Sequence, residues 1–359
     1  MTTPSALPYA RERALAEAAV LRAAILTKKV QSTVKAVSKD DKSPVTAADF
    51  AAQALLIAAL RAAFPGDRFL GEEDSRELRK DPGLVTRVYE LVSSVAPVDD
   101  PGTGAPLAIP ASVEDTLALI DLGGQGQGGR EGRFWVMDPV DGTKTFLRGQ
   151  QYAVSLALIE NGREVVGVLC CPNLRLADGR VDEDSVDPHG LGVMLTAVRG
   201  QGATVRTLSA PSATPYVLPP PERLARLSPP SDMKDLHIVD SRLSTAIRHD
   251  VIEQLAQQLG AKYPGTEVWS SHIRYTSLIL GGADCQVRVP IQTGGNVYIW
   301  DHAGAQLIFT EVGGKITDLD GKEMDFGAGR QMAANRGMMV AREGVHGELL
   351  TLVNAIVAS

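Results

Sequence analysis

The sequence predicts an α+β half followed by an α/β half. Three observations carry that prediction. Helical periodicity dominates residues 10–96, antiparallel strand signals begin near residue 134, and strand and helix signals alternate beyond a Pro-rich stretch at residues 209–231. With 359 residues the chain is long enough for one large core or two. The expected division is residues 1–208, a linker at 209–231, and residues 232–359.

The elements follow in order. Leu15, Ala18, Ala19, Leu21 and Ile25 repeat at helical spacing and predict a helix over residues 10–29. An Ala-rich helix is expected over 47–63, stopped by Pro65-Gly66, and another over 84–96. Arg68-Phe69-Leu70 reads as a short strand, residues 97–110 as a loop and 113–122 as a short helix. Strands are expected at 134–137, 153–160 and 165–171, the last two joined by the hairpin signal Asn161-Gly162. Residues 178–190 read as a polar surface loop. The second half alternates signals at 237–240, 244–259, 266–269, 273–280, 283–289, 303–312 and 316–317. There is no internal repeat.

Composition narrows the function. A net charge of −7 argues against nucleic acid as a bulk partner, and an acidic chain that binds an acidic substrate must reverse its sign locally. Three cysteines, without metal spacing, fit a reducing compartment; adjacent Cys170 and Cys171 should point to opposite faces of a strand. Charged residues Arg11, Glu12, Arg13 and Glu17 interrupt any signal-peptide pattern, and no run of 18 apolar residues occurs. The expectation is a cytoplasmic protein acting on a small molecule, with no membrane and no obligate protein partner.

Four segments carry chemistry. Asp138-Pro139-Val140-Asp141-Gly142-Thr143 follows the apolar run Phe134-Trp135-Val136-Met137 and brings two carboxylates, a carbonyl and a hydroxyl to one small volume. Such an oxygen set suits a hard cation such as magnesium. Gly71-Glu72-Glu73-Asp74 adds acids after a strand. Trp300-Asp301-His302-Ala303-Gly304 precedes an apolar periodic run, which places Asp301 at a helix start as a cap, a ligand or both. Lys42 to Asp49 opens the Ala-rich helix. Gly124-Gln125-Gly126-Gln127-Gly128-Gly129 formally contains G-x-G-x-x-G, but it precedes a strand and has no βαβ frame; it reads as a flexible loop.

Together these segments resemble the lithium-sensitive, magnesium-dependent phosphatase superfamily of inositol monophosphatase, fructose-1,6-bisphosphatase and the bisphosphate nucleotidases. The resemblance runs from about Val30 to Arg342. The run Thr143-Lys144-Thr145-Phe146-Leu147-Arg148-Gly149, then Gln151-Tyr152-Ala153-Val154, Cys171-Pro172-Asn173-Leu174, Ala197-Val198-Arg199-Gly200 and His302 after Trp300-Asp301, is similar to the 3′(2′),5′-bisphosphate nucleotidase branch. The resemblance implies a layered α/β/α/β/α sandwich and hydrolysis of the 3′-phosphate of 3′-phosphoadenosine 5′-phosphate, and of its sulfated precursor, in sulfate assimilation. An inositol phosphate phosphatase is the alternative enzyme; a catalytically silent nucleotide-sensing module is the alternative of another class.

The resemblance also implies roles. Glu72, Asp138 and the Val140 carbonyl would hold one Mg2+; Asp138, Asp141 and Asp301 would hold a second, with two such ions about 3.5–4 Å apart. Glu73 is either a supporting residue or a third-metal ligand. Thr143 would orient the attacking water and Asp49 accept its proton. Gly142, Thr143, Ser271, Arg274, Arg288 and Asp301 are the expected substrate contacts, with the two arginines suited to a second phosphate. Three departures stand out: Arg274 where the family usually has Lys, Thr145 where Gly is common, and Ser241-Arg242-Leu243-Ser244 where a nucleotide-contacting His is common.

Overall fold

The computed structural model describes residues 7–34, 43–210, 216–291 and 297–359. Two long helices come first, α1 (Ala10–Val34) and α2 (Ser43–Ala63). They are followed by β1 (Arg68–Gly71), α3 (Ser75–Leu78), α4 (Pro82–Ser93) and α5 (Val113–Gly124). Next come β2 (Arg133–Asp141), α6 (Thr143–Leu147), β3 (Ala153–Glu160), β4 (Arg163–Cys171), β5 (Val193–Val198), β6 (Ala203–Thr207) and β7 (Glu222–Arg223). The remainder is β8 (Val239–Asp240), α7 (His249–Leu259), β9 (Thr266–Glu267), α8 (Ser271–Ile279), β10 (Cys285–Arg288), α9 (Ala303–Glu311), β11 (Gly314–Thr317), β12 (Met338–Arg342) and α10 (Glu343–Ala358).

β1 to β7 form one sheet in chain order, antiparallel except for the parallel β1–β2 pair. Its central strands are apolar on both faces, and side-chain alternation sends the two sets to different cores. Val154, Leu156 and Leu158 face the core shared with α1 and α2, whereas Ala153, Ala157 and Ile159 face α8 and α9. Cys170 and Cys171 divide between the same two cores, as the strand period requires. β10-β12-β11 form a second sheet, to which the β8–β9 pair is joined by a bridge between Ile238 and Cys285. In β12, Met338 and Val340 point toward α8 and α9, while Met339 and Ala341 point toward α7 and α10. The order of layers is α1/α2, first sheet, α8/α9, second sheet, α7/α10: the expected α/β/α/β/α sandwich.

Helix α2 is apolar nearly all round. Its Thr46–Ala63 stretch is long and apolar enough to span a membrane, yet 78% of it is buried in the protein, so it is a core helix. Helix α4 starts at Pro82, two residues before the expected start. Asp81 caps it by accepting from Leu84 N at 3.0 Å, and Pro82 takes the first helical position. Residues 209–231, expected as a linker, place Glu222 and Arg223 against β6 in the first sheet. β5, β6, β12 and α10 had no expectation in the sequence, although Gly192, Gly200, Gly202 and Gly337, all at positive φ, bracket the three strands.

Candidate active site

Asp138 and Asp141 lie at the end of β2. Three residues apart in a regular strand, they would point to opposite faces. The register shifts between them, from Asp138 opposite Ser155 to Asp141 opposite Ala153, so three steps on one strand match two on its partner. This bulge carries Pro139 and Val140 and restores the parity of the two carboxylates. Gly142 follows at φ +101°, a left-handed conformation that suits glycine, and turns the chain into α6.

The Asp141 carboxylate is seated on the start of α8. Its Oδ2 accepts from Ser270 Oγ and from His272 N, both at 2.6 Å, and Oδ1 accepts from Ser271 N at 3.3 Å. The helix N-terminus favours a negative charge there. Ser270 also caps α8 through Ile273 N. The expected substrate residue Ser271 thus opens α8 beside Asp141, and its Oγ accepts from Arg274 Nη2 at 3.1 Å.

The Glu72–Glu73 loop leaves β1, the parallel neighbour of β2. Gln53, fully buried one helical turn beyond Asp49, grips its backbone. Its Oε1 accepts from Glu73 N at 3.0 Å, and its Nε2 donates to Glu73 O at 2.6 Å. This pair faces Glu72 and Glu73 toward buried Asp49. Thr143 is exposed at the first position of α6. Among the described residues there is no Thr143–Asp49 hydrogen bond, although α2 and α6 are packed together.

Asp301 ends a short 3-10 turn, Ile299–Asp301, and is not a helix cap. α9 begins at Ala303 after His302, with no side-chain cap, because the intervening turn carries Asp301 away from the helix axis and toward β2. The turn is fixed by His272 Nε2, 2.9 Å from Trp300 O, and by Tyr298, stacked on Trp300 at 4.4 Å. His302 is buried, with Nδ1 3.0 Å from Tyr275 Oη, a local bond as expected for a residue outside the metal set.

Asp138, Asp141 and Asp301 each offer an oxygen, and all three lie within 4.8 Å of one another. Glu72 is within hydrogen-bonding reach of Asp138. Burial pushes the Asp138 carboxyl far up, and Glu72, Asp141, Asp301 and Asp49 add to the rise. Burial, then Glu73 and Glu72, raises Asp49 as well. Glu72 is pushed to about 7 by burial and then by Glu73 and Asp141; Glu73 rises to about 7 by burial and Asp74. Asp301 rises to about 8 by burial, then by Asp141 and Glu72, against the pull of Arg288 and Arg274. Asp138 Oδ1 is buried without a hydrogen-bond partner. Crowded carboxylates with an unsatisfied oxygen aimed among them are costly alone and fit a hard divalent cation.

The two expected substrate arginines differ. Arg274 is 4% exposed and donates to Val268 O at 3.2 Å and Trp269 O at 2.8 Å besides Ser271 Oγ. Arg288 is half-buried and has no hydrogen bond or ion pair among the described residues. It borders a cavity of about 240 Å3 whose lining mixes apolar Ile247, Val297, Met332 and Met338 with polar Gln331, Asn335 and Arg336. Sequence reading missed Gln53 as part of the site, and it did not anticipate that Ser270 and His272, in a segment similar to the family's nucleotide-binding one, hold Asp141. Ser270 was findable as a cap before an apolar run, and Gln53 as the residue four beyond Asp49.

Known proteins resemble this chain. The inositol monophosphatase family matches residues 9–358. A 3′(2′),5′-bisphosphate nucleotidase of Emericella nidulans is 37% identical over 98% of this chain and 99% of its own. Its counterpart in Schizosaccharomyces pombe is 36% identical over 98% and 97%. Among solved structures, inositol monophosphatase-II of Staphylococcus aureus superposes with a TM-score of 0.57 at 17% identity, covering 94% of this chain and 91% of its own. SuhB of Mycobacterium tuberculosis gives 0.54 at 18%, covering 97% of each. At that identity the two structures speak for the fold alone. The family match and the nucleotidase relatives both run nearly end to end, and on that ground the chain belongs to the inositol monophosphatase family.

Proposed function

We infer that this protein is a 3′(2′),5′-bisphosphate nucleotidase, a phosphatase that removes the 3′-phosphate of 3′-phosphoadenosine 5′-phosphate. The observation that carries the reading is the convergence of Asp138, Asp141 and Asp301 within 4.8 Å, beside an uncommitted Arg288. The curated relatives supply the substrate class.

Mg2+ would be held by Glu72, Asp138, the Val140 carbonyl, Asp141 and Asp301, and when bound it supplies charge neutralisation and an acidified water. The chain's own residues do the rest. Hydrolysis joins a water oxygen to phosphorus and breaks the ester bond to the 3′-oxygen, giving AMP and inorganic phosphate. Thr143 orients the water through its hydroxyl. Asp49, made more basic by burial and by Glu73 and Glu72, accepts the water's proton. Glu73 supports Asp49 through its charge. Gly142 and Ser271 border the phosphoryl position, and Arg288 pairs with the substrate's 5′-phosphate.

The cavity bordered by Arg288 suits a nucleotide base. Its methionine, valine, isoleucine and proline side chains can pack on a flat ring, while Gln331, Asn335 and Arg336 on the same lining can bond its polar edge. Phosphate release from 3′-phosphoadenosine 5′-phosphate and from inositol 1,4-bisphosphate, each with Mg2+ and with EDTA, tests the reading. The nucleotide should be preferred and the activity lost in EDTA. A tenfold preference for the inositol ester, about 1.4 kcal/mol in transition-state binding, would reverse it.

A further inference from the structure

Arg330 and the Gly-rich segment have no place in the chemistry above, yet they meet at its edge. Arg330 lies beyond α9, on a segment that pairs with the approach to Asp301: its carbonyl accepts from Ile299 N at 3.1 Å, and Tyr298 and Gln331 form a bridge. Its guanidinium sits over the Trp300 ring, 4.7 Å from the centroid. From there Nη2 donates to Gly71 O at 2.7 Å, and Nη1 donates to Gly123 O at 3.2 Å and Gly126 O at 3.1 Å. One side chain therefore touches the residue before Glu72 and the residue before Asp301.

The Gly-rich segment completes the contact. Its first residues end α5 and lie directly against the acidic loop, in contrast to the flexible loop the sequence suggests. A Cβ on Gly124 would fall 2.3 Å from Glu73 O and 2.4 Å from Asp74 Cβ, so only glycine allows this approach. The loop that carries Glu72 is thus gripped by Gln53 from α2 and by Arg330 from the opposite half.

We propose that Arg330 is a positioning residue for the metal centre, fixing Glu72 and Asp301 relative to each other by clasping the Gly71 carbonyl while stacking on Trp300. The proposal rests on the metal-binding reading of these carboxylates. The planar fork matters because three carbonyls must be met at once while one face stays on an indole ring; a lysine ammonium cannot do both. Groups that orient ligands from outside the ligand set commonly shift metal affinity by about 10–100-fold.

The test is direct Mg2+ binding to the substrate-free full chain by titration calorimetry. Arg330→Ala risks unfolding, so Arg330→Lys, which keeps the charge but not the planar fork, is read first. Arg342→Lys is the comparison: Arg342 donates to the Gly281 carbonyl and pairs with Asp284 at 2.9 Å, away from the carboxylates. Arg330→Lys should raise the Mg2+ dissociation constant about tenfold or more, and Arg342→Lys should lower the melting temperature with Mg2+ affinity unchanged. An Arg330→Lys dissociation constant within about twofold of the parent's would overturn the proposal and leave Arg330 as a staple of the fold. A parent chain that binds no Mg2+ would overturn the metal reading itself, so the two failures are distinguishable.

Discussion

The two walls of the site are built differently. On the carboxylate wall every backbone segment is pinned by a buried partner: Asp141 by three donors at the start of α8, the Glu73 backbone by Gln53, and the Asp301 turn by His272 and Tyr298. The expected substrate wall has one arginine spent on main-chain carbonyls and another that makes no hydrogen bond or ion pair among the described residues and borders a mixed cavity. The first wall pre-sets an arrangement of charge that is unfavourable until a cation arrives. On the proposed reading, the second keeps Arg288 for the ligand, and the choice of substrate would rest there.

Removing the charge at the centre of the carboxylate wall should have the largest effect. Asp138→Asn keeps the shape of a side chain that faces four other carboxyls, so the fold should survive while turnover falls to background. Steady-state rates at saturating Mg2+ measure it, and a rate equal to the parent's would remove Asp138 from the site. Next in size is the proton-transfer pair. Thr143→Ala and Asp49→Asn should each lower kcat by about 10²–10⁴-fold with little change in metal affinity, and the double variant should be little worse than either. Fully additive losses would mean that the two residues act independently, in keeping with the absence of a direct bond between them in this structure.

A third expectation concerns stability rather than rate. Glu72 and Glu73 move from 4.5 to about 7 on folding, and Asp301 from 3.8 to about 8. Between those limits the folded, metal-free protein holds more protons than the unfolded chain, so its stability is greatest below the unfolded values and falls as pH rises through 7 to 8. Its melting temperature in EDTA should therefore be higher near about pH 5.5 than near about pH 8.5. Mg2+ favours the ionised carboxylates, so a fixed concentration, about 100 times its dissociation constant at the higher pH, should restore about 2.7 kcal/mol there and less at the lower pH, where it binds more weakly. Calorimetry that finds the same Mg2+ stabilisation at both pH values would contradict this picture of the carboxylate wall.

The carboxylate wall was also the wall that could be read in the sequence. Asp138, Asp141 and their turn are contiguous, and a strand followed by Pro and Gly announces where they point. The two halves were legible in the order of helix and strand signals, and the layered sandwich came from the family resemblance. What failed were properties set by distant neighbours. Asp301 read as a cap, a ligand or both, and the cap failed because a 3-10 turn and a helix start share composition. Arg274 and Arg288 looked equivalent because residue type alone does not say that Arg274 folds back onto the Val268 and Trp269 carbonyls. Arg330 reaches a carbonyl 259 residues away, a contact with no local signal.

The sharpest test of the contrast, and of the nucleotide reading with it, compares the two arginines on two substrates. Arg288→Ala should lower kcat/KM for 3′-phosphoadenosine 5′-phosphate by roughly ten- to a hundredfold, the worth of a charge-assisted contact of about 1.5–3 kcal/mol. The same change should leave hydrolysis of 3′-AMP, which lacks the 5′-phosphate, nearly untouched. Arg274→Ala, which strips donors from buried carbonyls, should instead lower the melting temperature and affect both substrates alike. If Arg288→Ala reduces both substrates equally, the unpaired arginine serves the fold or the carboxylate wall, and the account of how this site selects a bisphosphate nucleotide is wrong.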